Sequence, residues 1–233
     1  MNLPASSHNS MPFFRPAAAS IIAGCLAIFA GLTGCTTTPK SSSSAGQTQN
    51  VFNWSRILPG DLRRVACLPV TSEAQTQEDT EGRDALEPIL RAELIKAKRF
   101  EVMAISPEAL EKRTGQTCWR QDAKLPGDLF DWLKASTGAD AVMFCHLSVF
   151  HAYPPLTIGL KMRLVDLRTR NTLWAVDEVF DAQQLPSRET SPWVEWCGLD
   201  FLHSNSTAWR LQNSPRQFGQ YAAAKILSTL PEP

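Results

Sequence analysis

The apolar run AAASIIAGCLAIFAGLTGC, from Ala17 to Cys35, divides this chain into a part that can fold and a part that cannot. Its apolar core, Ala17 to Leu32, is preceded by a single cation, Arg15. A positive flank followed by an apolar stretch is the layout of a secretory signal. A helix that crosses a bilayer permanently needs about 20 apolar residues, so this segment is short for a span. An internal helix of the fold would lead into structured sequence, whereas Thr36 to Asn53 is polar and rich in Ser and Thr. The expectation is that residues 1–34 are a leader and that the folded part starts beyond residue 53.

Thr33 and Gly34 place two small residues directly before Cys35, which fits a narrow peptidase site and leaves the Cys35 thiol as the atom that carries a lipid. In this the leader resembles the signal sequence of bacterial lipoproteins. Ile22-Ala23-Gly24-Cys25 has the same form, but the apolar segment ahead of Cys25 is about half as long, and a signal core of about 7–15 residues favours Cys35. Thr36, with no Asp at that position, implies the default sorting of a lipoprotein to the periplasmic face of the outer membrane. Residues 35–53 then form a lipidated cysteine and tether, too poor in apolar groups to offset chain entropy. About eighteen residues reach at most ~60 Å when extended and typically ~25 Å as a coil.

Residues 54–233 are long enough for one domain. The whole chain carries 23 basic and 23 acidic residues, and loss of Arg15 with the leader leaves one more acid than base. Such neutrality excludes nucleic acid as a natural partner. The folded part should begin near Val51, with Phe52, Trp54 and Ile57 covering an edge of the core. Arg63 to Val70 has the nearly continuous apolar character of a buried strand. Leu86, Ile89, Leu90, Leu94 and Ile95 then repeat at helical spacing, opposed by Arg91, Glu93, Lys96 and Lys98. Asp84 and Glu87 resemble a capping box for that helix, with Pro88 in its first turn.

A strand over Phe100 to Ile105 and a helix capped by Ser106-Pro107 and ended by Gly115 follow. Leu129, Trp132 and Leu133 mark another helix, closed at Gly138. Ala139 to Phe150 is a central strand with Ala141, Met143, Cys145, Leu147 and Val149 on one face and Val142, Phe144, His146, Ser148 and Phe150 on the other. Thr157 to Leu167 and Thr172 to Asp181 form a hairpin whose one face, bearing Lys161, Arg163 and Asp177, is wet. The expected fold is α/β: a mixed sheet of about five strands flanked by helices, with an antiparallel hairpin and a final helix after Ser214-Pro215.

The runs Thr137-Gly138-Ala139-Asp140-Ala141-Val142, Tyr153-Pro154-Pro155-Leu156, Leu164-Val165-Asp166 and Thr172-Leu173-Trp174 resemble a domain of small envelope lipoproteins. That domain is shared by the curli-secretion lipoprotein, the lipoprotein activators of penicillin-binding proteins and the N-terminal domain of the Tol-Pal translocation protein. The similarity covers about residues 61 to 182 and the final helix. It implies an accessory, binding or assembly role at the envelope, with the membrane held through the lipid anchor and an unidentified envelope protein, or further copies of the chain, as partner. Self-assembly into a secretion or polysaccharide-export apparatus is the competing reading. The interrupting charges Lys161, Arg163, Asp177 and Glu178 argue against a membrane-spanning hairpin.

No enzymatic constellation stands out. There is no Gly-x-Ser-x-Gly elbow and no phosphate-cradling glycine loop. Cys197 with His203 lacks a marked orienting group, and His146, His151 and His203 lack the close ligand spacing of zinc sites. Neither a cofactor nor a metal is expected. Cys67 and Cys145 sit in apolar strands as small hydrophobes, whereas Cys118 and Cys197 lie in Trp-bearing polar loops and are either bridged or two free thiols. Between residues 183 and 213, Trp193, Trp196 and Trp209 are either buried anchors of an irregular segment or a partner surface.

Overall fold

The computed structural model describes residues 50–73, 76–185 and 210–233. The described residues belong to one compact unit. The expected leader, Cys25, Cys35 and residues 36–49 of the expected tether lie outside the described residues, as do Trp193, Trp196, Cys197, His203 and Trp209, whereas residues 51–53, expected as tether, form a strand.

Seven strands form one mixed sheet. They are β1 (Val51–Asn53), β2 (Arg64–Cys67), β3 (Thr71–Ser72), β4 (Glu101–Ala104), β5 (Ala141–His151), β6 (Thr157–Asp166) and β7 (Thr172–Asp181). Their order across the sheet is β1-β7-β6-β5-β2-β4, with β3 also on β5. Pairing is parallel on the β2 side and antiparallel from β5 to β1. The mixed α/β sheet is the architecture expected from the sequence, with the short β1 and β3 added. The expected strand at Arg63–Val70 divides because Leu68-Pro69-Val70 interrupts it. Proline has no N–H for a ladder, and β5 is regained one position out of step, from Cys67 opposite Met143 to Thr71 opposite His146.

The first face of the sheet is covered by α1 (Gln77–Ala97) and α4 (Pro215–Leu227). Leu86, Leu90 and Leu94 turn inward from α1, and Phe218, Ala222, Ile226 and Leu227 from α4, whereas Ile95 is exposed. The two helices approach closely at Gly219, where a Cβ would lie 2.4 Å from Leu86 Cδ2. Trp174, wholly buried, donates its indole N–H to Thr229 Oγ1 at 3.1 Å and so ties the hairpin to the chain's last turn. The second face carries α2 (Pro107–Thr114) and α3 (Leu129–Thr137), packed on β2, β4 and β5 through Ala66, Ile105, Leu110, Leu129, Leu133, Val142 and Phe144.

Three local expectations change. Helix α1 starts seven residues before Asp84, because Thr76 is the cap: its Oγ1 accepts from Asp79 N at 3.2 Å. Asp84 and Glu87 instead take Arg83 and Arg91 as ion-pair partners along the helix surface. Pro88 lies within α1. Phe150 shares the first face with Met143 and Cys145, because a bulge at Ser148, between the pairs Leu147–Leu160 and Val149–Gly159, reverses the alternation. The ring then fills the space left by Gly82, where a Cβ would lie 2.5 Å from it. Finally, Phe52, Trp54 and Ile57 do not cover the core. They are 49%, 65% and 62% exposed, and Val51 packs inward in their place.

Candidate functional site

Among the described residues, the second face of the sheet is half covered. Helices α2 and α3 cover β4, β2, β5 and the end of β6 at Val165, and no helix among the described residues covers the rest of β6, β7 and β1 on this face. Strand alternation places Lys161 and Arg163 of β6, Ala175, Asp177 and Val179 of β7, and Phe52 and Trp54 at the β1 end on this open half. Arg163 stands opposite Ala175, which stands opposite Phe52, and Lys161 stands opposite Asp177 at 3.3 Å. The wet hairpin face foreseen from Lys161, Arg163 and Asp177 is thus present. What the sequence did not signal is that the first aromatics of the folded part continue it.

At the border between the two halves lies a polar chain that starts from His146, nearly fully buried on β5. Its Nδ1 meets Thr71 Oγ1 at 2.8 Å and its Nε2 meets Glu73 Oε2 at 2.8 Å. A carboxylate only accepts, so Nε2 carries a proton and donates it. Thr71 Oγ1 also lies 3.3 Å from the Cys145 carbonyl oxygen. Glu73 further accepts from Arg120 Nη1 at 3.2 Å, and Arg120 grips Asp122 with Nε and Nη2 at 3.0 and 3.1 Å. The hydrogen bond from His146, then that from Arg120, holds the Glu73 carboxyl below its ordinary range. Arg120 likewise lowers Asp122, and Asp122, then Glu73, raises Arg120. The consequence is mechanical: the segment between α2 and α3 is fastened to β5 through two links in series, Arg120 to Glu73 and Glu73 to His146.

This fastening builds a wall. Gln121 and Asp122, on the fastened segment, and Asn50, Phe52, Arg163, Thr172, Ala175 and Asp177, on the β1–β7–β6 side, line an open cleft of about 430 Å³. Arg163 Nε donates to Thr172 Oγ1 at 2.8 Å. Gln121 Oε1 is buried and has no hydrogen-bond partner among the described residues. Gln121 and Arg120 carried no sequence signal, because their roles come from contacts with β3 and β5 far along the chain.

The residues that carry the family resemblance are structural. Asp140 Oδ2 accepts from the backbone of Arg63 at 2.9 Å and Arg64 at 3.0 Å, which fixes the entry of β2 beside β5. Asp166 Oδ1 accepts from Arg168 N and Thr169 N, both at 2.7 Å, and shapes the hairpin turn in which Arg170 has positive φ. Gly138 ends α3 at φ 65.

The cysteines divide. Cys145 is buried and Cys67 half-buried, both facing α1, and both are free thiols. A hydrogen bond between them lowers the Cys67 thiol and raises Cys145, which burial raises further. Cys118 is half-buried and free among the described residues. Its suggested partner Cys197 lies outside them, so the structure does not bear on that bridge. His151 is exposed, 3.9 Å from Glu78. Among the described residues no group of three or more His, Cys, Asp or Glu is placed to hold a metal ion, and no helix is long and apolar enough to cross a membrane.

No family model and no curated protein matches the chain. Several solved structures are similar. The PelC dodecamer from Paraburkholderia phytofirmans is 13% identical, with a TM-score of 0.40 over 79% of this chain and 95% of that one. Lipoprotein GNA1162 from Neisseria meningitidis is 17% identical, with a TM-score of 0.33 over 60% and 92%. The LpoB C-terminal domain from Escherichia coli is 16% identical, with a TM-score of 0.35 over 53% and 87%. Likenesses this distant carry no argument about what the chain does.

Proposed function

We propose that this chain is a lipid-anchored envelope protein, held by Cys35 at the periplasmic face of the outer membrane, that acts by binding another envelope component rather than by turning over a substrate. The open half of the second sheet face is its binding surface. The observation that carries this reading is the exposure of Phe52, 49%, on β1, and of Trp54, 65%, directly after it. A soluble chain gains by burying aromatics, and a large exposed aromatic beside polar groups is where interfaces concentrate their energy. Phe52 stands opposite Ala175 in the cleft that Arg163 also lines, and Val179, itself 54% exposed, lies on the same face four residues farther along β7. The tether of residues 36–49 would deliver this surface first, since Asn50 is bound to β7, its carbonyl oxygen accepting from Asp177 N at 3.1 Å.

Two measurements test the reading. A photo-reactive side chain at position 52 or 179 of the lipidated protein in cells should yield discrete adducts, and one at exposed Ile95 on α1 should not. Adducts from all three positions alike, or from none, would remove the assigned surface, and an adduct of twice the chain's own mass would make the partner a second copy. Separately, lipid incorporation should disappear in Cys35→Ala. Persistence of the lipid in that variant would move the anchor to Cys25.

A further inference from the structure

One rim of the sheet collects exposed apolar side chains and unmatched cations. Strands β2, β4, β5 and β7 start there and β6 and β1 end there, since Arg64 stands opposite Glu101, Val65 opposite Ala141, Ala141 opposite Asp166 and Asn53 opposite Trp174. Helices α1 and α3 lead into β4 and β5 and so finish at the same rim. Across it lies the β1–β2 connection, in which Trp54 and Ile57 are 65% and 62% exposed, with exposed Arg56 between them. That connection is held in place. Leu58 is buried, and its N–H donates to the Glu232 carbonyl oxygen at 2.7 Å. Two large apolar groups are thus presented to water from a fixed backbone.

The charges at this rim do not cancel. Arg64 pairs with Glu101, Arg99 with Glu232, Arg168 with Asp61 and Lys96 with Glu93. Arg56, Arg63, Lys98, Lys134 and Arg170 have no ion pair among the described residues. Against these five stand Asp140 and Asp166, which accept from backbone N–H groups, and the terminal carboxylate of Pro233, so two positive charges are in surplus. Asp131 belongs to the first turn of α3, at the end of that helix farther from the rim. Helix C-termini attract cations, but Arg56, Arg63 and Arg170 lie on no helix. The opposite rim has the other sign. There Tyr153, 81% exposed, sits in the β5–β6 connection, where the Ala152 N–H donates to Glu78 Oε1 at 3.3 Å and Asp79 stands beside Glu78 in the first turn of α1.

We propose that the rim bearing Trp54 and Ile57 rests on an anionic phospholipid surface, with those two side chains in the headgroup layer and Arg56, Arg63, Lys98 and Lys134 over the lipid phosphates. Tryptophan favours the membrane–water interface, and each surface cation is drawn to anionic lipid. Such a contact is weak alone and effective when added to an acyl anchor. The tether permits it: residues 36–49 reach at most about 50 Å, and Asn50 to Trp54 adds at most about 14 Å. The inference rests on the anchor proposed above and assigns a second surface, apart from the open half. With the strands standing on the membrane, the open half faces along the membrane plane, toward a partner held at the same surface.

The test reconstitutes the lipidated full chain, with a photo-reactive side chain at position 57 or 153, into vesicles of phosphatidylcholine alone or mixed with phosphatidylglycerol, and reads phospholipid adducts by intact mass. In mixed vesicles position 57 should give at least about tenfold more adduct than position 153, and the yield should fall at least about threefold in phosphatidylcholine alone or in high salt. Arg56→Gln, Lys98→Gln and Lys134→Gln together should cause the same fall with an unchanged melting temperature. If that combination does not fold, Arg56→Gln alone serves, with a fall of about twofold or more. Equal adducts at 57 and 153, or adducts at 57 that ignore the anionic lipid or the substitutions, overturn the inference. A chain that carries no lipid when isolated from cells sinks the anchor reading by itself, and it is then floated with the same vesicles. Recovery with mixed vesicles and not with phosphatidylcholine upholds the docking rim, and no recovery with either overturns it.

Discussion

The two halves of the second sheet face differ both in the side chains they present and in what covers them. On β2, β4 and β5 the outward residues Ala66, Val142 and Phe144 meet Leu110, Leu129 and Leu133 from α2 and α3 and are buried. On β6, β7 and β1 the equivalent positions hold Lys161, Arg163, Ala175, Asp177 and Phe52, and no helix among the described residues arrives. The difference follows from connectivity. Parallel strands β2, β4 and β5 need crossovers, and the crossovers supply covering helices. The antiparallel hairpin β6–β7 needs only a turn, so its second face receives nothing from its own connection. A half that receives no helix from its own connection is therefore a by-product of the hairpin, and it is where a binding surface is least costly to place.

Four substitutions test the contrast. The largest effect should come from the covered half: Leu133→Ala removes a fully buried side chain and should cost about 2–5 kcal/mol in denaturant unfolding. A loss below about 1 kcal/mol would mean that α3 is only loosely held. Asp140→Ala should follow, at roughly 1.5–3 kcal/mol, because two backbone donors at the entry of β2 lose their charged acceptor.

At the border, the effect should appear as pH dependence. The folded-state pKa of Glu73 is depressed, so its contribution is complete above the ordinary value near 4.5 and fades as pH falls through the folded value. Glu73→Gln should flatten the acid limb of the stability profile and leave the alkaline limb unchanged. An unchanged acid limb would show that the fastening is not ionic. The smallest stability effect should be on the open half, where Phe52→Ser should change unfolding by less than about 0.5 kcal/mol while removing cellular adducts at position 179. A loss comparable to that of Leu133→Ala would make Phe52 a core residue and erase the contrast.

Much of this was legible along the chain. The helical stripe Leu86–Leu90–Leu94, the caps at Ser106, Ser214 and Gly138, and the alternation of Lys161 and Arg163 with Leu160, Met162 and Leu164 are local patterns with short periods, and they survive folding. The start of α1 was missed because Thr76 sits in a polar stretch with no apolar stripe to announce it. The face of Phe150 was misplaced because one bulged residue reverses every later side chain, and Ser148 does not mark a bulge by type. Phe52 and Trp54 were assigned to the core on hydrophobicity alone, which tells how much a side chain gains from burial and not whether anything comes to bury it.

By itself the sequence determined the α/β class, the hairpin and the wet character of its second face, since each is written in a period of two to four residues. Only the tertiary structure decided which half of that face stays open, that the segment from Arg120 to Asp122 is fastened to His146 through Glu73, and that Arg163 and Gln121 share one cleft. Those facts depend on residues 40 to 120 positions apart meeting in space, and no local pattern carries a contact of that span.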